Sequence, residues 1–254
     1  MKITFLGTGT SQGIPLIACP CNVCTSADSK DKRLRTSVMV EIEGKVIVID
    51  SGPDFRQQML RENVKRLDAL IFTHAHKDHI AGMDDIRAFN YIGQRRIDIY
   101  ADEIVQMAIH REFPYIFDEI KYPGVPEVNM HSIANEPFMA AGTSITPIEL
   151  YHYKLPVKGF RIGDFTYITD ANFISEQEKK KIIGSKILVL NALRKETHIS
   201  HFSLAEAIAL AQEIGAEKTY FTHISHQLGL HEEENSQLPN GIYLAYDGLY
   251  VEVL

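Results

Sequence analysis

The sequence predicts a single α/β domain. Strand patterns occur in both halves of the 254-residue chain and are separated by helical patterns. No stretch rich in Pro, Gly or Ser marks a boundary between two units, so we expect one domain over residues 1–254. Residues 71–76 and 220–226 also have similar sequences, which favours an internally duplicated sandwich.

In the first half, strands are indicated by apolar residues that alternate or run continuously between turn residues. They are predicted at residues 3–5, 38–42, 46–49, 69–72 and 97–100. Glu43-Gly44 joins two of them as a hairpin. Helices are predicted from Asp54 onward, over residues 80–91 and over residues 105–115, before a proline-rich loop at 118–128.

In the second half, residues 160–169 are expected to form a hairpin, and residues 187–190 and 219–222 are expected to form buried strands. Ser203 and Glu206 have the spacing of a capping box, which predicts the start of a helix there. The last predicted element is a hairpin within residues 243–253.

The composition excludes several classes of function. Lys and Arg total 26 against 33 Asp and Glu, which gives a net charge of −7, without the basic excess typical of nucleic-acid-binding proteins. No apolar run approaches the roughly 18 residues of a membrane span, and no signal-peptide pattern follows Met1. We therefore expect a cytoplasmic protein that does not bind membranes and does not have nucleic acid as its main partner.

Four metal-binding side chains lie at the end of the strand predicted at residues 69–72. His74 and His76 are two residues apart on an extended strand end, so they project to the same side and can bind one ion. Asp78 and His79 begin a helix and point elsewhere, so the segment can supply ligands to two adjacent ions. The alternative is a polar helix cap with solvated histidines, although a cap needs only one such residue.

Residues 19–24 contain all three cysteines of the chain, Cys19, Cys21 and Cys24. An odd number at such short spacing cannot form a disulfide framework, so metal binding is favoured. A closed zinc site requires one more ligand. Reduced cysteines packed as small apolar residues are the alternative, which the polar surroundings disfavour.

The motif His74-x-His76-x-Asp78-His79 resembles the signature of the metallo-β-lactamase superfamily, which implies a four-layer αββα sandwich. The resemblance extends over almost the whole chain. The combination of motifs is similar to that of the PhnP-like phosphodiesterases. Their best-known activity opens the cyclic phosphate of a phosphoribosyl 1,2-cyclic phosphate. The segments that carry the resemblance also include Gly7-Thr8-Gly9-Thr10-Ser11-Gln12-Gly13, Cys19-x-Cys21-x-x-Cys24, residues 222–227 and Tyr246-Asp247-Gly248.

This resemblance implies a set of metal ligands in which Asp170 bridges two ions. The first ion would be bound by His74, His76, His152 and Asp170, and the second by Asp78, His79, Asp170 and His223. Asp170 and His223 also follow predicted strand ends, where α/β sheets bind ligands. His152 has aromatic neighbours and, judged alone, is more typical of a packed histidine. The resemblance further nominates His226 as the fourth ligand of a structural zinc.

Three further interpretations concern residues around this ligand set. The resemblance places His201 near the phosphate and the leaving group, although a solvated histidine before a helix is the alternative. Asp50 is expected to orient ligands rather than to bind metal. The histidines that match no ligand motif are interpreted as surface or packing residues; they are His110, His131, His198 and His231.

The sequence therefore predicts a binuclear hydrolase that cleaves a small or cyclic phosphodiester. It would use two divalent metals, which could be zinc, manganese or iron, together with one structural zinc. A hydroxide that bridges the two metals would attack phosphorus, and His201 would stabilise charge or protonate the leaving group. Ser51 and Ala171 depart from the expected pattern and leave the substrate open.

Two alternative functions stay open. An endoribonuclease resembling transfer-RNA 3′-processing enzymes is disfavoured by the net charge of −7 and by the lack of a glycine-rich basic insertion. A non-hydrolytic accessory protein resembling the pyrroloquinoline-quinone factor is disfavoured by the intact ligand set. The oligomeric state also stays open, a homodimer included. Residues 113–128 are a candidate cover over the active site.

Overall fold

Two mixed sheets form the centre of the molecule. The structure, a computed structural model, describes residues 1–120 and 122–253. Their strands are β1 (Lys2–Gly7), β2 (Ser37–Ile42), β3 (Lys45–Ile49), β4 (Ala69–Ile71), β5 (Ile97–Ala101), β6 (Val128–Ser132), β7 (Phe138–Ala140), β8 (Thr143–His152), β9 (Leu155–Ile162), β10 (Phe165–Tyr167), β11 (Phe173–Ile174), β12 (Ile187–Asn191), β13 (Lys218–Thr222), β14 (Ile242–Leu244) and β15 (Tyr250–Glu252).

The helices are short. They are α1 (Asn22–Thr25), α2 (Phe55–Arg61), α3 (Lys77–Ile80), α4 (Arg87–Gly93), α5 (Glu103–Glu112), α6 (Glu176–Ile182), α7 (Leu204–Ile214) and α8 (His231–Ser236). Single 3₁₀ turns occur at Ser29–Asp31, Met83–Ile86 and Pro114–Ile116. None of the helices in the described part of the chain has the length and apolar character needed to cross a membrane.

Each sheet contains a block of parallel strands. The spatial order is β15-β1-β2-β3-β4-β5-β6 in the first sheet and β11-β8-β9-β10-β12-β13-β14 in the second, with β7 paired to β8. Strands β3 to β6 run parallel to one another, as do β10, β12, β13 and β14. The carboxyl ends within each block therefore lie at the same edge of their sheet.

Three apolar layers hold the sheets and helices together, which confirms the αββα sandwich. Ile47 and Ile49 of β3 point between the sheets, and Val48 of the same strand faces the helices that cover the first sheet. Leu188 of β12 packs in a third layer with residues of α7. Because both faces of the central strands are covered, these strands are apolar at almost every position. Each buried aliphatic side chain contributes roughly 1.5–3 kcal/mol.

Several predicted elements are confirmed. The hairpin at residues 38–49 pairs Ile42 with Lys45, and residues 160–167 form an antiparallel pair. The capping box of α7 is present, with reciprocal bonds between Ser203 and Glu206.

The predicted hairpin within residues 243–253 is wrong. Strand β14 lies parallel to β13 in the second sheet, and β15 pairs with β1 in the first. Asp247, which lies between the two strands, accepts hydrogen bonds from the Thr8 hydroxyl at 2.7 Å and from the Leu34 N–H at 2.8 Å. These contacts hold the chain where it crosses from one sheet to the other.

The continuous helix predicted over residues 80–91 is also wrong, because the helical conformation is interrupted at Gly82, between α3 and the next 3₁₀ turn. The Gly82 N–H donates to the Ser51 carbonyl at 2.8 Å. A Cβ atom at Gly82 would lie 2.0 Å from the Gly52 carbonyl oxygen. The close approach of these two backbone segments therefore interrupts the helix.

Strands β6, β7, β8 and β11 were not predicted from the sequence. Strand β8 has no strict alternation of buried residues, and it contains Pro147, although proline is rare inside strands. Strand β6 is an edge strand with mostly exposed side chains, and its first residue, Val128, lies in the predicted loop. Lys121, within that same predicted loop, lies outside the described residues.

Candidate metal centre

The residues predicted to bind the active-site metals gather at the edge of the sandwich where parallel strands of both sheets end. His74 lies shortly after β4, Asp170 shortly after β10, and His223 directly after β13. Loops at such an edge are the usual ligand-binding position of parallel sheets.

Three residues of this edge adopt the left-handed backbone conformation. The φ angles are 66° at Asp50, 58° at Asp170 and 56° at His223. This conformation costs about 1–2 kcal/mol in a residue with a Cβ atom. Strain of this kind persists where surrounding contacts hold it, and it is concentrated at functional sites.

Asp170 lies at the centre of the cluster and is only 2% exposed. Its Oδ1 atom is 2.8 Å from His223 Nδ1, whereas its Oδ2 atom is 3.2 Å from His79 Nε2 and 3.5 Å from His74 Nε2. Burial opposes ionisation, but His223 and His79 outweigh it and hold the pKa of Asp170 well below its usual value. The carboxylate therefore faces separate histidines with its two oxygens.

Two ligand groups share Asp170. The donor atoms within each group lie within 4.8 Å of one another; one group is Asp78, His79, Asp170 and His223, and the other is His74, His76 and Asp170. His152 belongs to a third such group with Asp170 and His201, and its ring centre is 5.1 Å from that of His76. The structure thus brings all of the predicted active-site ligands together.

Hydrogen bonds determine which ring nitrogens face this centre. His79 Nδ1 donates to Asp50 Oδ2 at 2.7 Å, and His152 Nδ1 donates to the Ser200 carbonyl at 2.8 Å. Because both acceptors lack a proton, the neutral rings carry their proton on Nδ1 and present the lone pair on Nε2. A lone pair is what a metal ion requires.

The residues present fit divalent cations. His79 Nε2 and His223 Nδ1 are buried and lie 3.2 Å and 2.8 Å from Asp170 oxygens, but within the described residues neither nitrogen has a hydrogen bond of suitable geometry. Buried nitrogens without a partner are costly unless a ligand satisfies them. Imidazole and carboxylate donors together suit zinc, manganese and iron.

Asp50 is fully buried behind the cluster. Its Oδ1 atom accepts from the Thr73 N–H at 2.9 Å, and its Oδ2 atom accepts from the Thr73 hydroxyl at 2.8 Å and from His79. Asp50 contacts His79 rather than the shared centre, and its orienting role stays a prediction.

We expect Asp50→Asn to weaken metal binding about 10- to 100-fold while leaving the fold intact. Asparagine tolerates the left-handed backbone, but its amide cannot accept every donor that Asp50 accepts. Competition with a chelator would measure the affinity, with Asp164→Asn, in the turn between β9 and β10, as a control. Unchanged metal affinity would show that Asp50 does not orient His79.

Sequence reasoning missed two side chains that support the centre. Asn191 accepts from the Ala171 N–H and donates to the Ala171 carbonyl, both at 2.9 Å, and so fixes the residue after Asp170. The Thr10 hydroxyl is 3.2 Å from His223 Nε2. The one available signal was that Asn191 is polar at the end of an apolar strand.

The cysteine loop forms a second cluster. The donor atoms of Cys19, Cys21, Cys24 and His226 lie within 4.8 Å of one another, with His226 Nδ1 3.3 Å from Cys21 Sγ. The nearby His226 lowers the pKa of Cys21 to about 6, whereas burial raises the pKa of Cys24 to about 11. Three adjacent sulfurs can all be thiolates only beside a cation, and this donor set fits zinc.

The segment predicted as a cover begins close to α3. Phe113 and Ile116 pack in the layer between the first sheet and its helices, and the Tyr115 hydroxyl donates to Asp84 at 2.6 Å. Lys77 of α3 pairs with Glu112, just before this segment. The start of the segment at residues 113–128 therefore lies beside the motif at residues 74–79. Its role as a cover stays a prediction.

Comparison with known proteins gives consistent matches. A family model described as a β-lactamase superfamily domain matches residues 45–224. A crystal structure described as a new diphosphatase from the PhnP family is 42% identical, with a TM-score of 0.93, and the match covers 100% of this chain and 98% of that one. Zinc-bound PqqB from Methylobacterium extorquens has a TM-score of 0.79 at 19% identity, over 100% of both chains, which shows a shared fold alone.

One similar curated protein is about twice as long as this chain. An octanoyltransferase from Porphyromonas gingivalis is 37% identical over 252 residues, which are 98% of this chain and 51% of that protein. The chain thus spans about half the length of this relative.

Proposed function

Because the chain belongs to the metallo-β-lactamase superfamily and, within it, to the PhnP-like family, we propose that it is a binuclear metal-dependent hydrolase of a small or cyclic phosphodiester. The observation that carries this proposal is the buried carboxylate of Asp170, which belongs to both ligand groups: its Oδ1 atom faces His223, and its Oδ2 atom faces both His79 and His74. A carboxylate shared by two ligand groups is the arrangement needed to hold two adjacent ions.

The proposed ligands form two sets, one for each ion. His74, His76 and His152 would bind one ion with Asp170, and Asp78, His79 and His223 would bind the other with the same carboxylate. When bound, these ions would polarise a phosphoryl oxygen and lower the pKa of an attacking water. Asp50 holds the ring of His79 in place, and a zinc bound to Cys19, Cys21, Cys24 and His226 would stabilise the loop beside His223.

The position of His201 supports a role in proton transfer to the leaving group. It is 9% exposed, its ring stacks on His223 at 4.9 Å between ring centres, and its Nε2 atom is 3.5 Å from Asp170 Oδ2. It thus lies at the margin of both ligand groups. A proton on Nε2 could pass to an oxygen that leaves phosphorus.

We expect His201→Ala to lower kcat about 10²- to 10⁴-fold without changing metal content, because the proposed role is in proton transfer. Steady-state kinetics combined with elemental analysis would test this. Loss of active-site metal in the purified variant would instead identify His201 as a ligand.

A substrate screen tests the function as a whole. Cyclic phosphates, nucleotide diesters, diphosphate esters, phosphonate esters and RNA would be supplied with manganese, zinc or iron. Turnover of a small phosphate ester supports the proposal, and diphosphates are included because the 42%-identical relative is described as a diphosphatase. Cleavage of RNA alone would favour the endoribonuclease.

Metal analysis separates the enzyme from an accessory protein. About three ions per chain are expected for an active centre plus the structural zinc, and about one for a protein with the cysteine site alone. The name octanoyltransferase refers to a protein about twice as long, so we assign no acyl transfer to this chain. We retain a small phosphate ester as the predicted partner and the cytoplasm as the predicted location.

A further inference from the structure

His198, interpreted from the sequence as a surface or packing residue, lies directly against His201. Both residues belong to the loop between β12 and α7, and their Nδ1 atoms are 3.1 Å apart. The Ser200 hydroxyl is 3.3 Å from His198 Nδ1 and 3.1 Å from His201 Nδ1. The two rings and the hydroxyl thus form a compact triad behind the metal centre.

We propose that His198 is a positioning residue that fixes the tautomer and the ring orientation of His201 through this contact between their Nδ1 atoms. The inference rests on the proposed function, in which His201 protonates the leaving group. It adds a residue that touches neither the metal ligands nor the reacting atoms.

The direction of the contact follows from the backbone. The Ser200 N–H donates to His198 Nδ1 at 3.3 Å, and a backbone N–H can only donate. His198 Nδ1 therefore carries a lone pair in the neutral ring. If His201 Nδ1 also carried a lone pair, the two would repel each other at 3.1 Å. A proton on His201 Nδ1 removes this repulsion, and His198 Nδ1 and the Ser200 hydroxyl both lie 3.1 Å away, within reach to accept it.

The contact also determines which ring atom of His201 faces the metal centre. With Nδ1 turned toward His198, the Nε2 atom lies 3.5 Å from Asp170 Oδ2, at the margin of both ligand groups. Proton transfer to a leaving oxygen depends on the distance and alignment of the donor atom. A ring held in this orientation therefore presents the same nitrogen to the leaving oxygen in every turnover.

The test compares His198→Phe, which keeps a ring but removes the acceptor, with His198→Asn, which keeps an acceptor near the position of Nδ1. We expect His198→Phe to lower kcat at least about tenfold with little change in KM or metal content. His198→Asn should restore kcat to within about threefold of the wild-type value. The exposed His131 of β6, which pairs with Asp98 of β5, supplies the matched control His131→Phe.

Two further measurements make the result specific. In a His201→Ala background, His198→Phe should cause no additional loss, because the positioned ring is already absent. Nitrogen-15 NMR of the zinc-loaded protein should show His201 protonated on Nδ1 in the wild type and in His198→Asn, and a shift toward Nε2 protonation in His198→Phe.

The proposal is overturned if His198→Phe leaves both the tautomer and kcat unchanged. It is also overturned if the Phe and Asn variants lose the same activity or lose metal, since His198 would then be structural. If the protein hydrolyses no phosphodiester, the proposed function fails, and the NMR comparison still decides whether His198 sets the tautomer of His201.

Discussion

Asp170→Asn should reduce phosphodiester turnover at least about a thousandfold, which corresponds to about 4 kcal/mol of activation barrier. An amide has one oxygen and no charge, so it cannot serve both histidine groups that Asp170 faces. Asparagine tolerates the φ angle of 58° at this position, whereas alanine would add strain. We therefore expect the asparagine variant to fold with a near wild-type melting temperature and to bind less active-site metal.

Kinetics, elemental analysis and thermal melting of the purified variant would check this expectation. Asp164→Asn, a partly exposed carboxylate in the turn between β9 and β10, is the matched control. Near wild-type activity in Asp170→Asn would refute a bridging role. Loss of the folded state in both variants would point to a general effect of removing a carboxylate.

Cys21→Ser should release the structural zinc and lower the melting temperature by roughly 10 °C, because loss of a metal site costs about 4 kcal/mol or more. Zinc binding at such a site contributes directly to folding free energy. A buried thiol that only packs would cost much less and would release no metal.

The same variant should lose activity, although Cys21 performs no chemistry. His226 lies in the cysteine cluster and His223 in the active-site cluster, and the segment between them is bonded through Ile224 N–H to the Thr8 carbonyl at 2.9 Å. Loss of the zinc therefore loosens the segment that carries His223. Thr25→Ser, in the same loop, is the control, and a Cys21→Ser protein with full zinc content and wild-type melting would contradict the structural-zinc hypothesis.

Two parts of the site could be predicted because their residues are close in sequence. His74 and His76 lie in the short segment after β4, and Asp78 and His79 lie in the first turn of α3, so their spacing alone indicates ligands for two ions. Cys19, Cys21 and Cys24 lie within one loop in the same way. Strand β12 could also be predicted, because a strand covered on both faces is apolar throughout.

The remaining contacts depend on chain segments that are far apart. His79 is oriented by Asp50, and Asp170 is supported through Ala171 by Asn191, so no local pattern marks either pair. His198 and His201 are close in sequence, but their contact depends on the path of an irregular loop. Such loops have no periodicity from which a side-chain direction could be predicted.

Residue types and spacing by themselves determined the layered α/β class, the strands with two covered faces and the local metal-binding motifs, since these depend on periodicity and on neighbours along the chain. Only the tertiary structure decided that β14 and β15 join different sheets. A hairpin and a crossing between sheets have the same local pattern, and the choice depends on which sheet edges are open and on the hydrogen bonds of Asp247 to Thr8 and Leu34. The tertiary structure likewise placed His198 behind His201, because that contact requires the loop to fold against the segments that follow β10 and β13.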